Sequence, residues 1–176
     1  MSQLKVNSIV PVGGLPSGSN GGIIQVVQTY KTDTTSQVGS SGTDSATLYY
    51  DISGMSVTIT PSSASNKILI DTTFQVSSSH TDRNNSVRLL RGSTVIGNST
   101  GGSAYQGLIR DKTIKFQVRN YNIKFLDSPA TTSAVTYKLA WQLERSGSSA
   151  TTYYLNRGDG GSQGAVSHIT AMEVTV

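Results

Sequence analysis

Apolar and polar side chains alternate one residue at a time along several segments of this chain. The clearest case is residues 135–143, where Val135, Tyr137, Leu139, Trp141 and Leu143 share one parity. A repeat of two residues matches a β-strand, whose successive side chains point to opposite faces, and does not match a helix. We therefore expect a strand with one buried face, and we expect its single Trp to be the largest side chain of the core.

The same alternation predicts further strands elsewhere, including a hairpin that turns at residues 91–93. These segments are residues 55–59, 68–76, 87–90, 94–96, 153–155 and 172–176. The last strand is expected to pair with an interior strand, because chain ends fray unless a sheet holds them. Many short strands separated by Ser- and Gly-rich loops are typical of a sandwich or jelly roll. We predict an all-β fold: an antiparallel, jelly-roll-like β-sandwich.

Two segments depart from simple alternation. Residues 23–32 carry apolar side chains on both faces, which predicts a strand that is covered from both sides. Near Arg119 the apolar parity changes, because residues 114–118 keep one parity and residues 121–125 keep the other. Such a change marks either a β-bulge or a turn between two short strands, and we favour the bulge.

Length and composition favour one domain. The chain has 176 residues, of which 35% are hydrophobic and 14% charged, and it has no cysteine. Disulfides and thiolate metal sites are therefore excluded. There is no run of about 18 apolar residues and no signal-peptide pattern at the first residues. We expect a soluble chain that is neither inserted in a membrane nor exported by the general secretory route.

Residues 1–22 differ from the rest of the chain. A short apolar patch is followed by a linker rich in Gly and Pro. The apolar side chains of the patch are Leu4, Val6, Ile9 and Val10. So few residues cannot form a core of their own, and we expect them to be buried against another chain. Residues 1–22 are thus predicted to be an attachment arm, and residues 23–176 the head domain.

The middle of the chain is basic, although the net charge is only +4. The candidate surface-binding residues there are Tyr105, Arg110, Lys112, Lys115, Arg119 and Tyr121. Lys115 and Arg119 are predicted to share the polar face of one strand. Such a surface suits the phosphates of bacterial lipopolysaccharide. Nucleic acid is disfavoured because no reading helix accompanies the cations, and a face that is merely solvated is the plain alternative.

No constellation of residues predicts an enzyme. His80 and His168 are the only histidines and lie in no ligand-spaced cluster, so we expect no metal site and no cofactor. His80 and Asp82 would bind an ion only where three copies of the chain meet, and the plain alternative is a polar loop. A polysaccharide depolymerase would need two acids at a defined separation. The acids available to it are Asp111, Asp127, Glu144 and Asp159, and their spacing selects no pair.

Several segments resemble one group of viral proteins. They are LKVNSIVPV at residues 4–12, GIIQVVQ at residues 22–28, SVTITPSSASNKILI at residues 56–70, VRLLRGSTVIG at residues 87–97 and SHITAMEV at residues 167–174. These resemble small tail-fibre-like virion proteins of cyanophages and other marine bacteriophages. The resemblance implies a virion component, commonly a homotrimer, with no defined reaction. It carries over no catalytic residue.

We therefore expect a trimeric tail-fibre module that is assembled in the host cytoplasm and resides in the virion. Its arm would dock into another virion protein, and its head would touch host lipopolysaccharide or glycan. A capsid decoration or head-fibre protein is the alternative, and a depolymerase is a lesser one.

Overall fold

The computed structural model describes residues 22–39, 49–82, 84–97, 107–112, 114–143, 151–158 and 164–175. Within these residues the chain forms eleven β-strands and no helix. They are β1 (Ile23–Lys31), β2 (Thr35–Gly39), β3 (Tyr49–Ile59), β4 (Lys67–Ser78), β5 (Asn84–Arg91), β6 (Thr94–Ile96), β7 (Ile109–Lys112), β8 (Arg119–Asp127), β9 (Val135–Leu143), β10 (Thr151–Leu155) and β11 (Ser167–Val174). The predicted arm and Tyr105 lie outside the described residues.

The strands form two antiparallel sheets that pack face to face, so the predicted β-sandwich is confirmed. Sheet I contains β1, β2, β4, β8, β10 and β11, and sheet II contains β3, β5, β6, β7 and β9. The hairpin of β5 and β6 is confirmed, with Leu90 opposite Val95. The last strand pairs with β1 on one side and β4 on the other, as far as Val174. Val176 lies outside the described residues.

Three pairs of short strands lie end to end and act as single interrupted strands. Along β4, β10 pairs with the last residues and β11 with the first ones. Next to them, β1 pairs with β11, and β2 pairs with β10. Along β5, β6 and β7 divide one edge in the same way. When each interrupted pair is counted as one strand, the chain has eight strands, numbered 1 to 8 in chain order. Sheet I then has the order 1-8-3-6 and sheet II the order 2-7-4-5. This is the arrangement of a jelly roll.

The core lies between the two sheets and is built from the inner parity of each strand. Phe74 and Val76 of β4 face Val57, Leu89 and the inner side chains of β9 in sheet II. Trp141 is 1% exposed and is the largest of the fully buried side chains, as the sequence predicted. Its ring centroid lies 6.2 Å from that of Tyr153. Each such side chain contributes about 1.5–3 kcal/mol when it leaves water.

Asn156 holds together the two interrupted strands of sheet I. It follows β10 with a left-handed φ of 58°, a conformation that Asn tolerates better than most residues. Its side-chain Nδ2 donates to the carbonyl oxygens of Lys31 at 3.0 Å and Asp33 at 3.2 Å. Its Oδ1 accepts from the Ser167 hydroxyl at 2.6 Å. One buried amide thus joins the ends of β1, β10 and β11.

Two expectations about individual strands were wrong. The strand at residues 23–32 is not covered from both sides, because only the inner face of sheet I meets sheet II, and Val26 on the outer face of β1 is 59% exposed. Residues 114–118 are not a strand that reaches β8 through a bulge. Phe116 has a left-handed φ of 58°, and β8 begins at Arg119. The parity change therefore marks a turn between β7 and β8.

The exchange Asn156→Asp tests this junction. It keeps the shape of the side chain but replaces the Nδ2 donor with an acceptor, which would face two carbonyl oxygens in a site with 0% exposure. We expect the free energy of unfolding at pH 7 to fall by about 3 kcal/mol or more, measured by urea denaturation. Asn122→Asp, on the exposed face of β8, is the control and should change it by less than about 0.5 kcal/mol. Equal losses in the two variants would contradict the role given to Asn156.

Candidate interaction surfaces

Asp111 links the two sheets along one edge of the sandwich. It lies on β7 of sheet II, opposite the first residues of β8 in sheet I. Its carboxylate forms an ion pair with Arg119 and accepts a hydrogen bond from the Tyr121 hydroxyl at 2.6 Å. The Tyr121 ring in turn stacks on Phe74 of the core, with 5.6 Å between the centroids. This group closes the open edge between the sheets.

The pKa values in this cluster show that the groups depend on one another. Burial acts to raise the pKa of the Asp111 carboxyl, but the hydrogen bond from Tyr121 and the Arg119 guanidinium together hold it below its usual value. Burial and then the bond to Asp111 raise the pKa of Tyr121 from 10.0 to about 12. The Tyr121 proton therefore stabilises the fold below pH 10, and this stabilisation is lost as the pH rises towards about 12.

The structure separates the candidate surface-binding residues into two sets. Arg119 and Tyr121 are half-buried and converge on one acid, so their polar groups stabilise the fold. Arg110, Lys112 and Lys115 have exposed side chains. The expectation that Lys115 and Arg119 share one strand face was wrong, because the turn separates them.

Lys112 and Lys115, two of the exposed cations, differ in their surroundings. The Lys112 ammonium lies 4.0 Å from the Asp82 carboxylate, and both side chains remain more than 70% exposed. The Lys115 ammonium lies 5.4 Å from the centre of the Phe116 ring. An ion pair as exposed as Lys112 and Asp82 contributes little to the free energy of folding. Lys112 and Lys115 therefore remain accessible to an anionic partner.

A stack of rings and cations fastens the turn at residues 114–118 to sheet I. The Phe116 and Tyr154 ring centroids are 6.2 Å apart, and the Arg157 guanidinium lies 4.5 Å from the Tyr154 centroid. Tyr154 is only 9% exposed, so its face is occupied by these neighbours. Sequence reasoning did not find this contact, because nothing in the spacing of the residues along the chain brings them together. The stack supports the turn that carries Lys115.

Asp111 and Asp127, the two described members of the acids named for a depolymerase, lie too far apart to act as a glycosidase pair. Asp127 is bound by the Arg91 guanidinium at 3.0 Å and by the Tyr137 hydroxyl at 2.7 Å. It lies six residues along β8 from Tyr121, the partner of Asp111, which corresponds to about 20 Å. Glycosidase carboxyl groups lie about 5–10 Å apart. Glu144 and Asp159 lie outside the described residues.

Metal-ligating residues do not gather in the described part of the chain. No group of three or more His, Asp or Glu side chains there could hold a metal ion. The His80 ring contacts the Ser79 hydroxyl at 2.9 Å, and Asp82 faces Lys112.

The outer face of sheet I carries an apolar row that crosses the whole sheet. The residues are register partners on four neighbouring strands: Val26, Met172, Leu69 and Leu126. Val26 is 59% and Leu126 49% exposed, and the two central residues are half-buried. Ile23 and Ile24, each 54% exposed, extend this row towards the start of β1, next to Val174. We call these seven residues the apolar end of sheet I: Ile23, Ile24, Val26, Leu69, Leu126, Met172 and Val174.

Polar side chains border the apolar end on the same face. In the next row, the Gln28 amide donates to the Thr170 hydroxyl at 2.9 Å, and Lys124 forms an ion pair with Asp71. The row after that contains Tyr30 and His168. An apolar patch with a polar border is typical of protein contact sites.

Sequence reasoning identified the apolar residues of β1 but not that one face lacks cover. The available signal was a strand with apolar residues on both faces in a predicted two-layer fold, because a sandwich buries only one face of each strand. The contributions of Leu69 and Leu126 follow from register, which the pattern along a single strand does not contain.

Comparisons with known proteins do not assign the chain to a family. No protein-family model matches it, and no curated protein matches it. No helix in the described part of the chain is long and apolar enough to cross a membrane.

The exchange Asp111→Asn tests the cluster at the sheet edge. Removing the carboxylate charge removes one cause of the raised Tyr121 pKa, so we expect that pKa to move from about 12 towards 10.0. Spectrophotometric titration of the tyrosines detects this shift. The variant Tyr121→Phe identifies which part of the signal belongs to Tyr121 among the eight tyrosines. Asp51→Asn removes an exposed partner of Lys138 and should leave the Tyr121 pKa unchanged. An unchanged titration in Asp111→Asn would contradict the coupling.

Proposed function

We propose that this chain is a structural protein of a bacteriophage virion, a homotrimeric tail-fibre module whose head contributes to attachment to the host surface. The partner at that surface is an anionic glycan such as lipopolysaccharide. The proposal assigns the chain no reaction.

The uncovered apolar end of sheet I is the observation that carries the proposal. Ile23, Ile24, Val26 and Leu126 are each about half exposed. Each half-exposed aliphatic side chain leaves about 1 kcal/mol of possible hydrophobic stabilisation unused. A single chain in water gains only the part that comes from their buried half, whereas an assembly that covers them gains the rest. Together with the resemblance to tail-fibre-like proteins, this supports a self-associating virion module.

The two ends of the head differ in a way that suits attachment at one end and recognition at the other. Gly22, where the arm joins the head, is bonded to Thr175 beside the apolar end, with its amide 2.8 Å from the Thr175 hydroxyl. β4 runs from Lys67 at this end to Ser78, which bridges to Lys115 at the other. Twelve residues of strand span about 36 Å. The arm therefore leaves one end, and exposed cations occupy the opposite one.

The exposed cations at the far end fit an anionic surface. Lys112 is the last residue of β7, and Lys115 lies in the connection between β7 and β8, close to the loop that contains Asp82. Their ammonium groups can approach phosphates without breaking a buried ion pair. Lipopolysaccharide offers phosphates together with sugars, which suits cations on an extracellular-facing tip.

Immunogold labelling of virions that encode this chain tests the location. With an antibody against the head, we expect gold at the tail. Gold distributed over the capsid would replace the tail-fibre role with that of a shell-decorating protein. Virions that carry no label at either place would overturn the virion assignment.

Charge reversal tests the recognition end. Lys112→Glu combined with Lys115→Glu should weaken binding to beads coated with host lipopolysaccharide by roughly tenfold at low salt. Lys138→Glu is the matched control, since Lys138 also pairs with an exposed acid, Asp51, but lies towards the other end of sheet II. Equal binding by all three proteins would rule out a role of the cations in attachment.

A further inference from the structure

We infer that the apolar end of sheet I is the docking site for further copies of this chain, so that the apolar ends of neighbouring copies meet around a common axis. This inference rests on the proposed function for the existence of an assembly. It adds which surface makes the contact and how the arms are arranged.

The outer face of sheet I, made up of the apolar end and its polar border, has most of the area that such a contact needs. Four strands about 4.8 Å apart give a width of about 19 Å, and β8 pairs with β4 over nine residues, or about 30 Å. The flat area of this face is therefore roughly 570 Å², before its side chains add to it. A stable specific interface buries about 800 Å² on each partner. The face of sheet I supplies most of that area.

The border of the patch is suited to a copy of the same chain. Lys124 is 60% exposed and Asp71, its ion-pair partner, is 19% exposed, so the border carries one charge of each sign. A neighbouring copy that presents the same row brings charges of both signs to the border, so opposite charges can meet across the contact.

The position of Gly22 supplies the second argument for copies of this chain. Gly22 and Thr175 are bonded through the Thr175 amide at 3.1 Å, so the arm begins beside the apolar end. If the apolar ends of several copies meet, their arms leave the head side by side.

Light scattering after size-exclusion chromatography tests the inference on the full chain. At about 10 µM we expect the wild type to have the mass of an oligomer. Val26→Lys places a charge in the contact and should weaken association by at least tenfold, leaving mostly monomer. Val38→Lys is the matched control, because Val38 is an equally exposed apolar residue of the same sheet, at 54%, but pairs with Thr152 far from the apolar end. It should keep the mass of the wild type.

Folding is checked by circular dichroism, and both variants should melt within about 3 °C of the wild type. Leu126→Lys, on the opposite edge of the patch, replaces Val26→Lys if that variant does not fold. The inference is overturned if the wild type is monomeric, if both patch variants stay oligomeric, or if Val38→Lys dissociates as well. A monomeric wild type would mean that the arm or another virion protein covers the patch.

The outcome is independent of the location test. Virions labelled at the tail together with an oligomeric Val26→Lys protein would retain the proposed function and reject this contact. Unlabelled virions together with a monomeric Val26→Lys protein would reject the proposed function and retain this contact.

Discussion

A strand in a two-layer sandwich can bury only the face that points to the opposite sheet. Its other face meets water unless a further chain covers it. Apart from Leu69 and Leu126, the outer parity of β4 and β8 fits this limit, because it carries the polar residues Asp71, Thr73, Asn122 and Lys124. β1 does not obey it, because Ile24, Val26 and Tyr30 point outward and are more than half exposed. The apolar end of sheet I is therefore a consequence of the fold as much as of the sequence.

The sequence predicts well what depends on one strand at a time. Alternation located β9, most of β4, the β5–β6 hairpin and the burial of Trp141. Alternation does not predict β2, because Ser, Gln and Gly give no apolar pattern. β2 forms because β10 supplies a partner along its full length. Pairing of this kind is decided by tertiary structure and not by local preference.

Contacts between distant strands were beyond prediction for the same reason. Asp111 is the only acid between residues 83 and 124 of the sequence, but its distance from Arg119 depends on how the edges of the two sheets meet. Asn156 has a left-handed backbone, which Asn tolerates better than most residues. Its role in joining β1, β10 and β11 depends on three separate segments reaching the same point. A side chain of that kind leaves no periodic signal.

The two ends of the head respond differently to solution conditions, and this difference bears on how such a module could work. Hydrophobic burial at the apolar end is little affected by salt. The cations near Lys115 are exposed, and at physiological ionic strength their attraction is screened beyond about 8 Å. Association between copies would therefore persist where contact with an anionic surface is weak and reversible. Because about 36 Å of β4 separates the two ends, a change of charge at the tip need not disturb the contact at the base.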